Sequence, residues 1–339
     1  MDPELIERLQ AVVRGRRFLI VTHNNPDPDA IASTWAFADL LARRFRVDST
    51  IAYGGFITRA ENRAMVQILR IDLRPIGEVD LRNFHAAALI DTQPGFRNHA
   101  LPAALSPSIV IDHHRMHPRS QAVEFSDIRP GYGSTSTIVT EYLLQAGLSL
   151  PRRLATALYY GIRSDTSDLG REASEADFRI AISLYPSVHH RWVATIAHPP
   201  LSREFMVDFD RALHEARIYG DVILANLGYL KTTDMVARMA DFFLQIGDVR
   251  WSLVFAQDGK HLVFSLRTKR RKQNAGRMAQ RLVKGWGAAG GHDQVAGGQI
   301  PLEGFPSSRE ENLAEAFVRR FLKLVGRDGN REERLLPSV

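Results

Sequence analysis

The first half of the chain alternates short apolar runs with stretches of helical periodicity. The apolar runs have the length of strands and cover residues 18–22, 49–53, 86–91 and 108–112. Residues 31–45 carry a helical pattern between the first two runs. Because strands that alternate with helices are typical of α/β folds, we predict a largely parallel sheet with helices on both faces.

Polar turns that carry carboxylates directly follow three of the predicted strands. They cover residues 23–29, 91–95 and 112–114. Ligands of open parallel sheets bind outside the carboxyl ends of the strands, so we expect these turns to gather at one edge. A later helical pattern, residues 151–163, is followed by another acidic segment, residues 164–168.

The pattern breaks at Pro199-Pro200 and then changes character. Residues 202–219 predict one connecting helix, and the remainder predicts a smaller α/β region with a hairpin that turns on Asp258-Gly259. A helix, a glycine-rich loop, a strand and a last helix follow over residues 274–284, 285–291, 295–301 and 309–325. We therefore expect a first domain, a linker with the connecting helix, a second domain and a flexible tail over residues 1–197, 198–219, 220–328 and 329–339.

Length and composition fit two ordinary globular domains. The 339 residues are 45% hydrophobic and 24% charged, and a chain of this length exceeds the usual size of one core. The absence of cysteine excludes disulfides and thiolate metal sites and leaves histidine, carboxylate and water as metal ligands. The amino-terminal residues do not resemble a secretory signal, and the apolar runs are shorter than the roughly 20 residues that span a bilayer. We therefore expect a soluble cytoplasmic protein without a membrane partner.

The charge of the chain gives a weaker indication. The formal net charge is +6 and the isoelectric point is about 9.7, which is compatible with polyanionic partners. The densest basic run lies within residues 267–272, and a solvated surface loop is the plain alternative for it.

The strongest chemical signal comes directly after the first apolar run, where His23, Asp27 and Asp29 stand within seven residues. Pro26 and Pro28 stiffen the turn. Alone, such a turn is equally typical of a helix N-cap. Three further clusters lie where a parallel sheet would direct them into the same cleft, namely Asp91, Asp112-His113-His114 and Asp165. Since four unrelated explanations would otherwise be needed, the pattern favours one shared site.

The order of these clusters resembles the DHH phosphoesterase family. That family includes RecJ-type exonucleases, nanoRNases with 3'-phosphoadenosine-5'-phosphate phosphatase activity, cyclic-dinucleotide phosphodiesterases and family II pyrophosphatases. Its four motifs are similar, in chain order, to His23-x3-Asp27-x-Asp29, Asp91, Asp112-His113-His114 and Asp165.

The resemblance extends into the second half of the chain. Phe264-Ser-Leu-Arg267, followed downstream by Gly290-Gly291-His292, is similar to the DHH-associated substrate domain of the nanoRNase branch. Ala289 stands where that loop usually has a third glycine, which affects the expected loop geometry. The resemblance implies that this domain binds the far phosphate of a short substrate through Arg267, Gly290, Gly291 and His292.

The resemblance also implies two divalent cations. One would be bound by His23, Asp27 and Asp91. The other would be bound by Asp29, Asp91, His113 and Asp165, so that Asp91 bridges the pair. Mixed imidazole and carboxylate ligation favours Mn2+, with Mg2+ and Co2+ as alternatives. Because coordination can lower the pKa of water to about 7, no protein nucleophile is required.

Other residues receive supporting roles. His114 matches the family position that faces the scissile phosphate, and Asp112 is expected to orient a neighbouring histidine. We therefore count His114, Asp112 and the bridging Asp91 as the catalytic residues. For the hydroxyls of Ser134, Thr135 and Thr166, a structural role is the alternative.

The expected function is an oligoribonuclease-like hydrolase that acts on short oligonucleotides or nucleotides. It would release nucleoside 5'-monophosphates and also act on 3'-phosphoadenosine-5'-phosphate. The alternatives are a cyclic or linear dinucleotide phosphodiesterase, a pyrophosphate or polyphosphate hydrolase, and a non-catalytic metal-dependent nucleotide-binding protein. A cleft between the two domains would select substrates by length, and the sequence leaves a homodimer open.

Overall fold

The computed structural model describes residues 4–57, 59–96, 98–230, 234–270, 273–291, 294–303, 307–329 and 331–337, with the backbone alone for residues 307–312. The chain divides into two compact units, Met1–Pro199 and Pro200–Val339. Among the described helices, none combines the length and the apolar character needed to cross a membrane.

The first unit is built on a six-stranded sheet in which every neighbouring pair is parallel. The strand order is β3-β2-β1-β4-β5-β6. The strands are β1 (Phe18–Val21), β2 (Ser49–Tyr53), β3 (Leu73–Pro75), β4 (Ala86–Ile90), β5 (Pro107–Asp112) and β6 (Phe125–Ile128). The predicted α/β class and parallel sheet are confirmed, and the short outer strands β3 and β6 are additions to the prediction.

Seven α-helices complete the first unit in the part of the chain that is described. They are α1 (Leu5–Val13), α2 (Pro28–Leu40), α3 (Ala60–Leu69), α4 (Thr135–Gln145), α5 (Arg152–Asp165), α6 (Glu175–Leu184) and α7 (His190–Ala197). Helix α2 begins at the predicted turn because Asp27 caps it and Pro28 occupies its first position. It continues into a π-helical turn, Leu41–Phe45.

The buried α-helical side chains of this unit lie on one face of the sheet. Phe18 and Ile20 of β1 point into a large cluster lined by helices, whereas Leu19 and Val21 point into a smaller one with loop and 3-10 residues such as Leu81. The helices that the second face carries are thus short 3-10 turns, whereas the α-helices pack on the first face. Right-handed crossovers place the segments that lead into β4, β5 and β6 on the second face of the sheet. These segments consist of loops and 3-10 turns.

The order of the strands reverses at β1, which pairs with β2 on one side and β4 on the other. Such a reversal opens a crevice at the carboxyl ends of the strands. The turn after β1, the turn after β4 and the end of β5 meet there. This topology brings together the polar segments that the sequence places after strands.

The second unit contains a mixed seven-stranded sheet of order β11-β12-β10-β9-β8-β7-β13. Its strands are β7 (Arg217–Tyr219), β8 (Val222–Tyr229), β9 (Trp251–Gln257), β10 (His261–Thr268), β11 (Ala288–Gly291), β12 (Val295–Pro301) and β13 (Glu333–Arg334). Among the described strands of this second sheet, only β8 and β9 pair in parallel. Helices α8 (Arg203–Glu215) and α9 (Asp234–Phe243) pack on one face, and α10 (Ala275–Leu282) and α11 (Ser307–Val325) pack on the other.

The structure differs from the expected local pattern of the second unit at three places. The connecting helix ends at Glu215, and the chain then forms β7. Part of the predicted tail pairs with the sheet, because β13 pairs with β7 and the Tyr219 hydroxyl donates to Glu332 over 2.7 Å. The glycine-rich segment becomes strand β11 from Ala288, because its backbone pairs with β12.

Candidate metal centre

The turn after β1 presents His23 and Asp27 side by side. The imidazole Nδ1 of His23 donates to the carbonyl of Asn24 over 3.0 Å, which fixes the ring and leaves Nε2 as the nitrogen that faces the site. That Nε2 lies 3.6 Å from Asp27 Oδ2 and 3.5 Å from Asp91 Oδ2. The other oxygen of Asp27 accepts from Ala30 N over 3.0 Å, so helix α2 holds this carboxylate in place.

Asp91 lies directly after β4 in a left-handed conformation with φ 61°. This conformation is uncommon outside glycine and is typical of functional positions. The Asp91 carboxylate is almost fully buried, and Oδ1 accepts from the Thr135 hydroxyl over 2.7 Å. Oδ2 faces His23, and Oδ1 lies 3.7 Å from Nε2 of His113. One carboxylate thus lies between two imidazoles, as a bridging ligand requires.

Asp29, His113 and Asp165 form a second group beside Asp91. The two oxygens of Asp29 accept from Thr135 N and Ser136 N, at 2.7 and 2.8 Å, because the amino terminus of α4 points at this buried side chain. Asp165, the last residue of α5, places Oδ2 3.2 Å from Nε2 of His113.

The donor atoms of these two groups fit divalent cations. Within each of the groups His23–Asp27–Asp91 and Asp29–His113–Asp165, the nitrogen and oxygen atoms lie within 4.8 Å of one another. Nδ1 of His113 donates to the carbonyl of Tyr132 over 3.2 Å, while its buried Nε2 faces the carboxylates of Asp165 and Asp91 without a hydrogen bond of favourable geometry. An imidazole held through one nitrogen, with the other left to a cation, is the usual arrangement of a metal-ligating histidine.

The electrostatics of the site show an excess of negative charge. Burial disfavours the charged imidazole, yet Asp27 and Asp91 hold the pKa of His23 well above its usual value. The same balance raises the pKa of His113, where Asp165 and Asp91 outweigh burial. Burial, and then the charge of Asp27, raise the pKa of the Asp165 carboxyl to about 6. This negative charge favours protonation of His23, His113 and Asp165. Divalent cations bound at the site would neutralise it instead.

A chain of hydrogen-bonded polar groups fixes the imidazole of His114. Its Nδ1 lies 2.8 Å from Asp112 Oδ1, and the other oxygen of Asp112 accepts from Gln93 Nε2 over 2.6 Å. The Gln93 Oε1 accepts from His117 N over 2.7 Å and from the Ser120 hydroxyl over 2.9 Å. Asp112 therefore contacts His114 directly, as the expected orienting role requires.

The sequence did not indicate several of these supporting groups. Gln93 belongs to no recognised motif, and its only signal is its position two residues after Asp91. The amides of Thr135 and Ser136 act through the backbone, which any residue type supplies. The Thr166 hydroxyl donates to Ile162 O over 2.6 Å and accepts from Leu169 N, which agrees with the structural alternative for that residue.

The expected phosphate-binding residues of the second unit lie on neighbouring strands. Arg267 is buried on β10, and its guanidinium donates to Asp241, to the Ser265 hydroxyl over 2.7 Å and to Ala296 O over 3.2 Å. Gly290 and Gly291 lie on β11, and Gly291 pairs with Ala296. His292 lies outside the described residues. The role of these residues in binding substrate stays a prediction.

The fold and the site define a class of α/β protein with a centre of histidine and aspartate suited to two divalent cations. Sequence comparison identifies the family within that class. Residues 17–162 match the DHH family, N-terminal domain, and residues 220–324 match the DHHA1 domain. The chain therefore contains a DHH domain followed by a DHHA1 domain, as the four motifs indicate.

Two curated relatives show how far the similarity extends. An uncharacterized protein of Methanocaldococcus jannaschii is 36% identical over 315 residues, which are 91% of this chain and 64% of that protein. A probable manganese-dependent inorganic pyrophosphatase of Streptococcus pyogenes is 27% identical over 157 residues, which are 44% of this chain and 48% of that protein. The chain thus spans less than two thirds of the length of either relative.

Solved structures show the same fold at low sequence identity. An exopolyphosphatase-related protein from Bacteroides fragilis superimposes with a TM-score of 0.76 at 16% identity, over 96% of this chain and 98% of that chain. RecJ from Thermus thermophilus in complex with Mn2+ gives a TM-score of 0.53 at 14% identity, over 97% of this chain and 55% of that chain.

Proposed function

We propose that this chain is a divalent-metal-dependent phosphoesterase that hydrolyses short oligonucleotides and releases nucleoside 5'-monophosphates. We also expect it to act on 3'-phosphoadenosine-5'-phosphate. The observation that supports this most is the position of Asp91, whose two oxygens face His23 and His113. A carboxylate shared by two donor groups suits a pair of cations about 3.5–4 Å apart, which can hold the attacking and leaving oxygens of a phosphoryl group.

The protein side chains divide the work of such a reaction. Cations bound by the two groups would supply Lewis acidity that polarises the phosphoryl group and makes water a nucleophile near neutral pH. His23 and His113 are oriented for binding by the backbone carbonyls of Asn24 and Tyr132. With Nδ1 of His114 held by Asp112, its Nε2 is the ring nitrogen that would donate to a phosphate oxygen or to the leaving group.

Manganese is the cation that we propose for the site, with Mg2+ and Co2+ as alternatives. Hard carboxylate oxygens together with borderline imidazole nitrogens favour Mn2+ over Mg2+. The S. pyogenes relative is described as manganese-dependent, and RecJ of the same fold is described in complex with Mn2+.

The second unit supports nucleotides as the substrate class. Its DHHA1 domain carries Phe264-Ser-Leu-Arg267 and Gly290-Gly291, which are similar to the substrate domain of the nanoRNase branch. Gly290 and Gly291 on β11 have no side chain that would keep a phosphate from the backbone. Arg267 lies on β10, which is separated from β11 by the single strand β12. Inorganic pyrophosphate is the second candidate substrate, and the similarity to the S. pyogenes pyrophosphatase favours it.

Turnover of a defined substrate panel tests the proposal. The purified chain with Mn2+ is incubated with the dinucleotide pApA, longer RNA, 3'-phosphoadenosine-5'-phosphate, a cyclic dinucleotide and pyrophosphate, and the products are separated by ion-exchange chromatography. We expect pApA to give AMP. Preference for pyrophosphate over every nucleotide would establish the alternative.

The variant Asp91→Asn tests the bridging position. It should reduce turnover of pApA by roughly 10³-fold, because positioning and charge stabilisation by both cations depend on this carboxylate. The matched control is Asp72→Asn, whose side chain is 78% exposed, and it should retain full activity. Near-normal turnover by Asp91→Asn would remove the basis of the proposed function.

A further inference from the structure

An exposed aromatic side chain belongs to the loop next to the metal-binding turn. Phe56 is 75% exposed, the largest value among the described large apolar side chains. It belongs to the loop that follows β2, of which residues 54–57 are described up to the first gap. Because β2 pairs in parallel with β1, this loop leaves the same edge of the sheet as the turn that carries His23 and Asp27. Adjacent strands lie about 4.8 Å apart, so the two segments are neighbours.

Hydrogen bonds fix the loop of Phe56 to that turn. Asn25 N donates to Gly54 O, and Phe56 N donates to Asn25 Oδ1, both over 2.9 Å. The approach is close, because a Cβ on Gly54 would lie 2.0 Å from Asn24 Oδ1 and a Cβ on Gly55 would lie 2.3 Å from Asn25 Oδ1. Asn25 stands two residues from His23 and two from Asp27. These hydrogen bonds therefore hold the backbone of Phe56 next to the metal-binding turn.

A basic residue follows Phe56 closely in the chain, since Arg59 directly precedes α3. Proteins bind unpaired nucleotides by combining an exposed aromatic ring, which stacks on a base, with cations that attract the backbone. An exposed phenylalanine three residues before an arginine fits that combination.

We propose that Phe56 is the stacking platform for the nucleobase attached to the phosphate at the metal centre. This inference rests on the proposed function and narrows it to phosphoesters that carry a base. Every base has an aromatic face, so the platform accepts all four bases. Stacking tightens binding by about 5- to 150-fold per base, which favours nucleotides over pyrophosphate at the same site.

Steady-state kinetics with and without bases test the platform. The full chain in Mn2+ is assayed with pApA and with the same sugar-phosphate dimer lacking both bases, for the wild type, Phe56→Ala and Phe56→Tyr. Phe56→Ala should raise KM for pApA about tenfold or more, with little change in kcat and none in KM for the abasic dimer. Phe56→Tyr keeps an aromatic ring and should retain the wild-type KM. Phe178→Ala removes a phenylalanine that is 55% exposed on α6, and it is the matched control.

The outcomes separate this inference from the proposed function. A wild-type KM for pApA in Phe56→Ala would overturn the platform and leave the phosphoesterase intact. An equal loss of kcat on both substrates would also overturn it, because Phe56 would then merely support the metal-binding turn. A wild-type chain that fails to hydrolyse pApA would contradict the proposed function itself, and the platform with it.

Discussion

At the scale of single residues, the buried amide of Gln93 links the loops that follow two neighbouring strands. It donates to Asp112 and accepts from His117 N and Ser120 Oγ, so both ends of the amide are used. Because Gln93 Nε2 donates to Asp112 Oδ2, Asp112 Oδ1 remains to hold Nδ1 of His114. Groups behind a reactive histidine fix its orientation and tautomer, and their removal typically costs 10- to 100-fold in activity or metal affinity.

Substitution of Gln93 should therefore affect catalysis more than substrate binding. We expect Gln93→Leu to lower kcat for pApA about 10- to 100-fold with KM nearly unchanged. Gln93→Glu has the same shape but replaces the donor by an acceptor facing Asp112, so its loss should be at least as large. Exposed Gln67 on α3 supplies the control variant Gln67→Leu. A change in KM alone would show that Gln93 does not act through His114.

The residues that the sequence predicted share one property, which is that their chemistry depends on side-chain type. Histidine and aspartate at fixed spacing after apolar strands can be recognised from the sequence as metal ligands. The ligand atoms of His23, Asp91 and His113 belong to the groups that could hold metal ions. Gln93 and the backbone groups of Tyr132 and Thr135 could not be found in this way. A neutral amide or a peptide group gains its role only from the fold around it.

At the scale of elements, the amino terminus of α4 depends on a buried carboxylate from α6. Asp177 is fully buried and accepts from Gly133 N over 2.7 Å, from Ser174 N over 2.8 Å and from the hydroxyls of Ser174 and Thr137. This side chain caps α6 and at the same time fixes the turn that precedes α4. The amides of α4 that hold Asp29 follow immediately.

Loss of this carboxylate should destabilise the first unit. Asp177→Ala leaves several buried donors without an acceptor, so we expect its free energy of unfolding to fall by about 3 kcal/mol. The measurement is urea unfolding followed by circular dichroism, with one transition fitted for each unit. Asp72→Ala should change the value by less than about 0.5 kcal/mol, because that side chain is exposed. A loss of less than about 1 kcal/mol for Asp177→Ala would show that α4 is held independently of α6.

The sequence predicted elements with strong apolar runs and missed those that depend on their neighbours. Strands β1, β4 and β5 are buried and apolar, and their positions were correct. Strand β3 has three residues and ends in proline, and β13 consists of Glu333 and Arg334. Pairing with an existing sheet edge, rather than their own composition, makes these segments strands.

At the scale of the whole molecule, the chain consists of two units with separate cores, each covered in large part by one family domain. The donors of the first unit come from the ends of β1, β4, β5 and α5, so the complete unit must fold before they meet. Chain length and the break at Pro199-Pro200 predicted two domains, and the DHH motifs predicted the family. The packing of loops on the second face of the sheet could not be predicted, because it depends on crossover geometry rather than on a local pattern.

The most direct test of the two-metal centre is a crystal structure in Mn2+ with anomalous diffraction at the manganese edge. We expect two peaks about 3.5–4 Å apart, with one oxygen of Asp91 on each. His23 and His113 should bind one cation each through Nε2. A single peak, peaks elsewhere in the chain, or two peaks without Asp91 between them would contradict the central claim.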